Sequence, residues 1–216
     1  MVTKNKIEIC GLFPTPLYLT NINRKFTKQE LSLVKQYEII TLADAATGPL
    51  HMTDTKQSED NYILNQKEFK QLKIELQNYL CDYINTIICP NTDIKCYITQ
   101  SWLNYTKSGE HHHEHNHSNC FLSGVLYFNA DENFDSIVFD RNFYNQIKIK
   151  AKEYNLFNSD IMDIPVKTGQ LLIFPSYLKH YVNQKRGDNI RISLSFNTFL
   201  KGILGNKEGL TELELK

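Results

Sequence analysis

Five of the chain's seven histidines fall within residues 111–117, in Gly109-Glu110-His111-His112-His113-Glu114-His115-Asn116-His117. A sixth, His180, ends Phe174-Pro175-Ser176-Tyr177-Leu178-Lys179-His180, and Arg191 follows eleven residues later, opening Arg191-Ile192-Ser193-Leu194-Ser195-Phe196-Asn197. Neutral imidazole is the commonest side-chain ligand for metals. A guanidinium is a planar fork whose donors match both oxygens of a carboxylate. A histidine cluster, one distant histidine and an arginine on a strand-like run therefore describe a metal centre with a carboxylate-binding group beside it.

Spacing decides which histidines could share a metal. In an extended segment alternate side chains share a face. His111, His113, His115 and His117 then point one way, and His112, Glu114 and Asn116 the other. Residues i and i+2 are about 6.6 Å apart along a strand, close enough for two imidazoles to converge on one ion, whereas i and i+4 are not unless the chain bends. The cluster offers His113 with His115, or His115 with His117, and on the opposite face His112 with Glu114. A solvated histidine-rich loop with incidental metal affinity is the competing reading, but it gives no reason for the strand-like run Phe121–Phe128 directly after the cluster. His180 alone would be an ordinary core histidine; with the upstream cluster and Arg191 it becomes a candidate third ligand. In the last run Arg191, Ser193, Ser195 and Asn197 share one face, and Ile190, Ile192, Leu194 and Phe196 the other. That polar stripe suits a polar cavity, where Ser193 could join Arg191 on one carboxylate.

These residues need a scaffold. The 216 residues are 41% hydrophobic and 12% aromatic, enough for one domain with a substantial core. Thr27 and Glu30 form a capping box, and Leu31, Val34 and Ile39 extend the helix it opens to about residue 42. Leu72, Leu76, Leu80, Tyr83 and Ile87 recur at helical steps, predicting a helix over 68–88 that packs on a sheet. Residues 7–19 read as short strands, and 43–61 as a polar loop or lid. After residue 93 the period becomes two: Ile94, Cys96, Ile98, Gln100 and Trp102 alternate with Lys95, Tyr97, Thr99, Ser101 and Leu103. Further strand-like runs occupy 121–128, 136–140, 170–174 and 190–199. The expected fold class is mainly β (α+β), a sandwich or small barrel. The chain divides into a helix-bearing part (1–93) and a strand-rich part (94–200) of a single domain over 1–216.

Composition narrows the function classes. Lys and Arg total 24, as do Asp and Glu, so no net charge draws the chain to nucleic acid or an anionic membrane. No apolar run has the length of a bilayer span, and the basic start Met1–Lys6 is not followed by a signal-peptide core. The five cysteines are odd in number and lack CxxC spacing, which points to reduced thiols in a cytoplasmic protein. Richness in Asn, Lys and Ile suggests an AT-rich genome, such as a phage replicating in a host cytoplasm.

Taken in order, several stretches resemble the 2-oxoglutarate- and Fe(II)-dependent oxygenase superfamily, most of all a subfamily of small phage and bacterial proteins. They are Ser101-Trp102-Leu103-Asn104, Gly109, His115-Asn116-His117-Ser118-Asn119 and Ser123-Gly124-Val125-Leu126-Tyr127. Gly169, Phe174–His180 and Arg191-Ile192-Ser193 follow, with Leu12-Phe13-Pro14-Thr15-Pro16 near the start. The likeness covers residues 100–200 well and the first twenty loosely. It implies a double-stranded β-helix, or jelly roll, with the N-terminal helices packed on it. It implies Fe(II) held by His115, His117 and His180, and 2-oxoglutarate held by Arg191 and Ser193, with Asn104 and Tyr127 as further cosubstrate contacts. O2 would be the second cosubstrate, and a substrate would be hydroxylated with release of succinate and CO2.

One position departs from the pattern. The usual triad is two histidines and a carboxylate, and His117 stands where the carboxylate is expected. A three-histidine triad is the favoured reading, with Glu114 in a shifted register as the alternative. Two other functions compete: a cupin-like metalloprotein without 2-oxoglutarate, and a non-catalytic metal-binding jelly roll serving as a phage accessory or structural protein. Neither needs an arginine after the distal histidine. A protein side chain, a small molecule and a nucleobase all stay open as the substrate, and the oligomeric state is not specified.

Overall fold

The structure is a computed structural model that describes residues 8–44, 55–141, 147 and 149–216. Among the described residues, eleven strands and two α-helices run in the order β1 (Tyr18–Asn21), α1 (Lys28–Asp44), β2 (Lys56–Gln57), α2 (Lys70–Tyr83), β3 (Lys95–Thr106), β4 (His112–His115) and β5 (Leu122–Asn129). They continue as β6 (Ser136–Asp140), β7 (Ile161–Pro165), β8 (Gln170–Pro175), β9 (Lys179–Val182), β10 (Arg191–Leu204) and β11 (Leu213–Leu215). The strands form two antiparallel sheets. The major sheet has the order β1-β8-β5-β10-β3-β2, with β11 paired to β10, and the minor sheet has the order β4-β9-β6-β7. This is a double-stranded β-helix.

Both helices lie on the outer face of the major sheet. The capping box forms as expected: the Glu30 amide donates to Thr27 Oγ1 at 3.1 Å and the Thr27 amide to Glu30 Oε2 at 2.7 Å. Arg24 ties α1 to α2, bonding Glu30 with two nitrogens and Glu75 with its Nε. The face that α1 buries carries Leu33 and Val34, while Leu31 and Ile39 are exposed. Leu72, Leu76, Leu80 and Tyr83 bury the α2 stripe, but the α-helix stops at Tyr83. Residues Ile84–Ile88 continue as a wider π turn ending at Cys89 with a left-handed backbone (φ 47°), and this rotates Ile87 out to solvent. The expected strands in 7–19 reduce to β1; residues 8–17 contain none. Of the expected polar loop 43–61, residues 45–54 lie outside the described residues, and 56–57 form β2. No described helix is long and apolar enough to cross a membrane.

Two cores sandwich the major sheet. The outer one joins the helices to Leu126, Leu171, Ile173 and Leu194. The inner one, between the sheets, joins Val125, Tyr127, Leu172 and Phe174 to Ile137 and Phe139. Alternate residues of β5 and β8 thus serve opposite cores, as the pleat requires, and their fully apolar runs follow from burial on both faces.

Strict alternation fails at two β-bulges. On β3, Ser101 pairs with Phe196 and Ile98 with Thr198, so Thr99 and Gln100 share the single partner Asn197. The extra residue reverses the pleat. Cys96 and Ile98 face the helices before the bulge; Leu103 and Tyr105 do so after it. Trp102 therefore leaves the face expected from its spacing and, with Asn104, turns between the sheets. The second bulge lies in β4, where His112 pairs with Val182 and His115 with His180, leaving His113 and Glu114 against Tyr181.

Candidate metal and cosubstrate site

A cavity opens between the sheets. Its minor-sheet wall carries His112 and His115 from β4 and His180 from β9, and its floor carries His117 from the turn before β5. Facing them on the major sheet are Trp102 and Asn104 from β3 and Arg191, Ser193 and Ser195 from β10. The β4 bulge puts His112 and His115 on one side although they are three residues apart. The expected split, with His112 and Glu114 opposite His113 and His115, does not hold. His113 is exposed, and Glu114 lies outside the cavity in an ion pair with Lys179 at 3.2 Å.

The expected iron-site residues His115, His117 and His180 come together, each offering one ring nitrogen within 4.8 Å of the others. Two ligands of one metal, each bonded at about 2.1 Å, lie up to roughly 4.2 Å apart, so little adjustment separates this arrangement from a coordination triad. Two tautomers are set by the backbone. His115 Nδ1 lies 2.8 Å from the His113 carbonyl and His180 Nδ1 lies 2.9 Å from the Leu178 carbonyl. A carbonyl only accepts, so both Nδ1 atoms carry the proton and both Nε2 lone pairs are free for a metal.

His117 is held differently. Its Nδ1 lies 3.4 Å from the Asn197 amide nitrogen, and Asn197 Oδ1 accepts from Ser123 Oγ, itself 2.9 Å from Ser176 Oγ. Both serine hydroxyls can donate or accept. A half-turn of the amide, with the hydroxyls reversing roles, presents Oδ1 to a protonated Nδ1 and frees Nε2 of His117. All three imidazoles are held neutral. Burial is the main cause, pushing His180 down to about 3 and His117 to about 4 and lowering His115, with the neighbouring rings adding to the effect on each.

Arg191 anchors the other end of the cavity. It is only 4% exposed. One terminal nitrogen donates to Tyr127 Oη at 3.2 Å, its Nε has no partner, and no carboxylate pairs with it among the described residues. Ser193 is buried two residues along the same face. Burial raises the Tyr127 phenol, which keeps its own proton and can donate to an anion. Asn104 is already engaged, accepting from Gln57 Nε2 at 3.1 Å and donating to Ser195 Oγ at 2.9 Å.

The loops that deliver these strands are stapled by a buried ion pair. Lys185, in the loop between His180 and Arg191, reaches Asp135 at 3.4 Å and donates to the Gly187 carbonyl and Asn189 Oδ1. Its backbone pairs both ways with the turn before β4, through the Gly109 amide to the Lys185 carbonyl and the Lys185 amide to the Glu110 carbonyl, each at 2.8 Å. At the cavity mouth Thr55 bonds the His111 carbonyl with both its amide and its hydroxyl.

Spacing alone does not single out His112, Trp102 or the Asn197 contact to His117. The first two depend on bulges. Asn197 carried a signal, as the last residue of the polar stripe that Arg191 begins.

Residues 100–197 match the sequence model of the family described as "Putative 2OG-Fe(II) oxygenase". Comparison with curated protein sequences finds no match. Among solved structures, a prolyl-4-hydroxylase from Pseudomonas putida superposes with a TM-score of 0.54 at 13% identity, covering 85% of this chain and 92% of that one. HygX from Streptomyces hygroscopicus, solved with nickel, 2-oxoglutarate and hygromycin B bound, gives 0.53 at 10% identity over 85% and 82%. An oxidoreductase of the 2OG-Fe(II) oxygenase family from Burkholderia pseudomallei gives 0.52 at 12% identity over 84% and 83%. At these identities the structures speak for the fold, and the sequence match speaks for the family. Over residues 100–197, less than half of the chain, the sequence therefore matches the 2OG-Fe(II) oxygenase family.

Proposed function

We propose that this protein is an Fe(II)- and 2-oxoglutarate-dependent dioxygenase that hydroxylates a substrate C–H bond and releases succinate and CO2. The observation that carries the reading is the pairing, in one cavity, of a neutral imidazole triad with a buried arginine that has no carboxylate partner among the described residues. A buried guanidinium without a counter-ion is costly, and a dicarboxylic keto acid would relieve that cost. His115, His117 and His180 would hold the metal through Nε2. Arg191, Ser193 and the Tyr127 hydroxyl would hold the distal carboxylate of 2-oxoglutarate. Asn104 braces the wall by fixing Ser195 and Gln57.

Iron, when bound, supplies the activation of O2 and the oxidative decarboxylation of the keto acid. The chain's own residues do the rest. The backbone carbonyls of His113 and Leu178 fix ring orientation. Arg191 fixes the axis of the cosubstrate, and Phe174, Phe196 and Val125 give the cavity apolar surface that limits water. No side chain has to act as a general base.

Anaerobic addition of Fe(II) and then 2-oxoglutarate tests the reading. A visible charge-transfer band that appears only with both is expected. Iron binding without such a band at saturating 2-oxoglutarate would replace the oxygenase with a cupin-like or structural metalloprotein. The substrate, whether a protein side chain, a small molecule or a nucleobase, would then be sought by following succinate release.

A further inference from the structure

We propose that His112, a fourth cavity histidine outside the metal triad, is a cosubstrate-binding residue that donates from Nδ1 to the distal carboxylate of the keto acid, across the cavity from Arg191. The inference rests on the dioxygenase reading above and adds to it a residue on the opposite sheet.

Three buried side-chain polar atoms lack a hydrogen-bond partner among the described residues: His112 Nδ1, Arg191 Nε and Asp135 Oδ1. The last faces the Lys185 ammonium at 3.4 Å and so has its charge met. The other two line the same cavity. Burying a polar nitrogen without a partner costs about 1–3 kcal/mol, and a cost at both walls of one cavity points to an acceptor-rich ligand between them. A carboxylate has two oxygens and about four lone-pair sites. Arg191 and Ser193 line the cavity on the major sheet, with Tyr127 bonded to Arg191, and His112 lines it on the minor sheet.

The position of His112 follows from the β4 bulge. Without the extra residue opposite Tyr181, His112 would point away from His115. With it, the ring packs edge-on to His115 at 4.7 Å between centroids and stacks on His113 at 4.9 Å. His112 stays outside the triad whose ligand atoms converge. The backbone beneath it is fixed, because Thr55 bonds the preceding carbonyl of His111 twice.

The test compares the wild type, His112→Leu and His112→Asn, each loaded anaerobically with Co(II) and titrated calorimetrically. The probes are 2-oxoglutarate and 2-oxobutyrate, a keto acid without the distal carboxylate. His112→Leu should raise the Kd of 2-oxoglutarate about tenfold, the loss expected for one hydrogen bond to a charged group. It should leave Co(II) affinity and 2-oxobutyrate affinity unchanged, and His112→Asn, which keeps a donor, should recover most of the loss. Equal losses for both keto acids, a parallel loss of Co(II) affinity, or no change in any Kd would each overturn the proposal. If wild-type Co(II) protein binds neither keto acid, the dioxygenase reading itself fails and His112 falls with it. A defect confined to the variants cannot be confused with that outcome.

Discussion

His117 decides what kind of metal site this is. With two histidines and a carboxylate the triad would cancel one of the metal's charges; with three neutral imidazoles it cancels none. Glu114 is the carboxylate that could restore the usual set, but it stands in an exposed pair with Lys179 on the far side of β4. Reaching the cavity would require the bulge to vanish and His112 to leave. His117→Ala is therefore expected to lower Fe(II) or Co(II) affinity at least a hundredfold, while Glu114→Ala shifts it less than threefold, since an exposed ion pair contributes about 0–1 kcal/mol. Metal titration of the two variants reads this directly, and the reverse ranking would return Glu114 to the triad. The residues of this argument were unequally legible in the sequence. His115, His117, His180, Arg191 and Ser193 stand out because chemistry-bearing types recur at short spacing or on a clean polar stripe. His112 does not, since alternation assigns it to the wrong face, and only the partner strand's register corrects that.

At the scale of elements, hydrophobic periodicity locates most strands because a doubly buried strand must be apolar throughout and a half-buried one must alternate. Leu122–Asn129, Ser136–Asp140, Gln170–Pro175 and Arg191–Leu204 fall within a few residues of expectation, apart from the longer C-terminal run of β10. Bulges escape such reading because they are set by the neighbouring strand. Gly124 shows how closely neighbouring strands fit. It pairs with Phe196 across β5 and β10, and the Phe196 ring lies over it so closely that an added Cβ would overlap the ring. Phe196 is fully buried, touches the cavity, and precedes Asn197, the partner of His117. Gly124→Ala should therefore destabilise the protein by about 1–3 kcal/mol, as overpacking does. Combining it with Phe196→Leu should cost less than the sum of the two single changes, because the smaller side chain removes the overlap. Urea unfolding of the four proteins measures the coupling; strict additivity would mean that the ring does not set the strand spacing.

For the whole molecule, the two cores are inseparable. Leu126, Leu171 and Ile173 face the helices, while Val125, Leu172 and Phe174, their immediate neighbours on the same two strands, face the cavity side. Melting the helix layer exposes one face of β5 and β8, and opening the sheets exposes the other. Neither layer has a core of its own to fall back on, so we propose that the chain unfolds as one domain in a single transition. The proposed metal ligands come from the turn before β5 and from β4 and β9 of the minor sheet, whereas Arg191 and Ser193, proposed to hold the cosubstrate with His112, lie on the major sheet. Metal and 2-oxoglutarate bound there together would clamp one sheet to the other. A ligand at a hundred times its Kd, bound to the folded state alone, adds about 2.7 kcal/mol, and in a protein of this size each kcal/mol raises Tm by about 2–4 °C. Anaerobic Co(II) should accordingly raise a single Tm by roughly 5–11 °C, 2-oxoglutarate should add to the shift only when metal is present, and a chelator should cancel both. His180→Ala should lose the shift from both ligands, whereas Arg191→Ala should lose only the part due to 2-oxoglutarate. Two resolved transitions, or a 2-oxoglutarate shift that survives the chelator, would refute the picture of one cooperative fold closed by a metal-anchored cosubstrate.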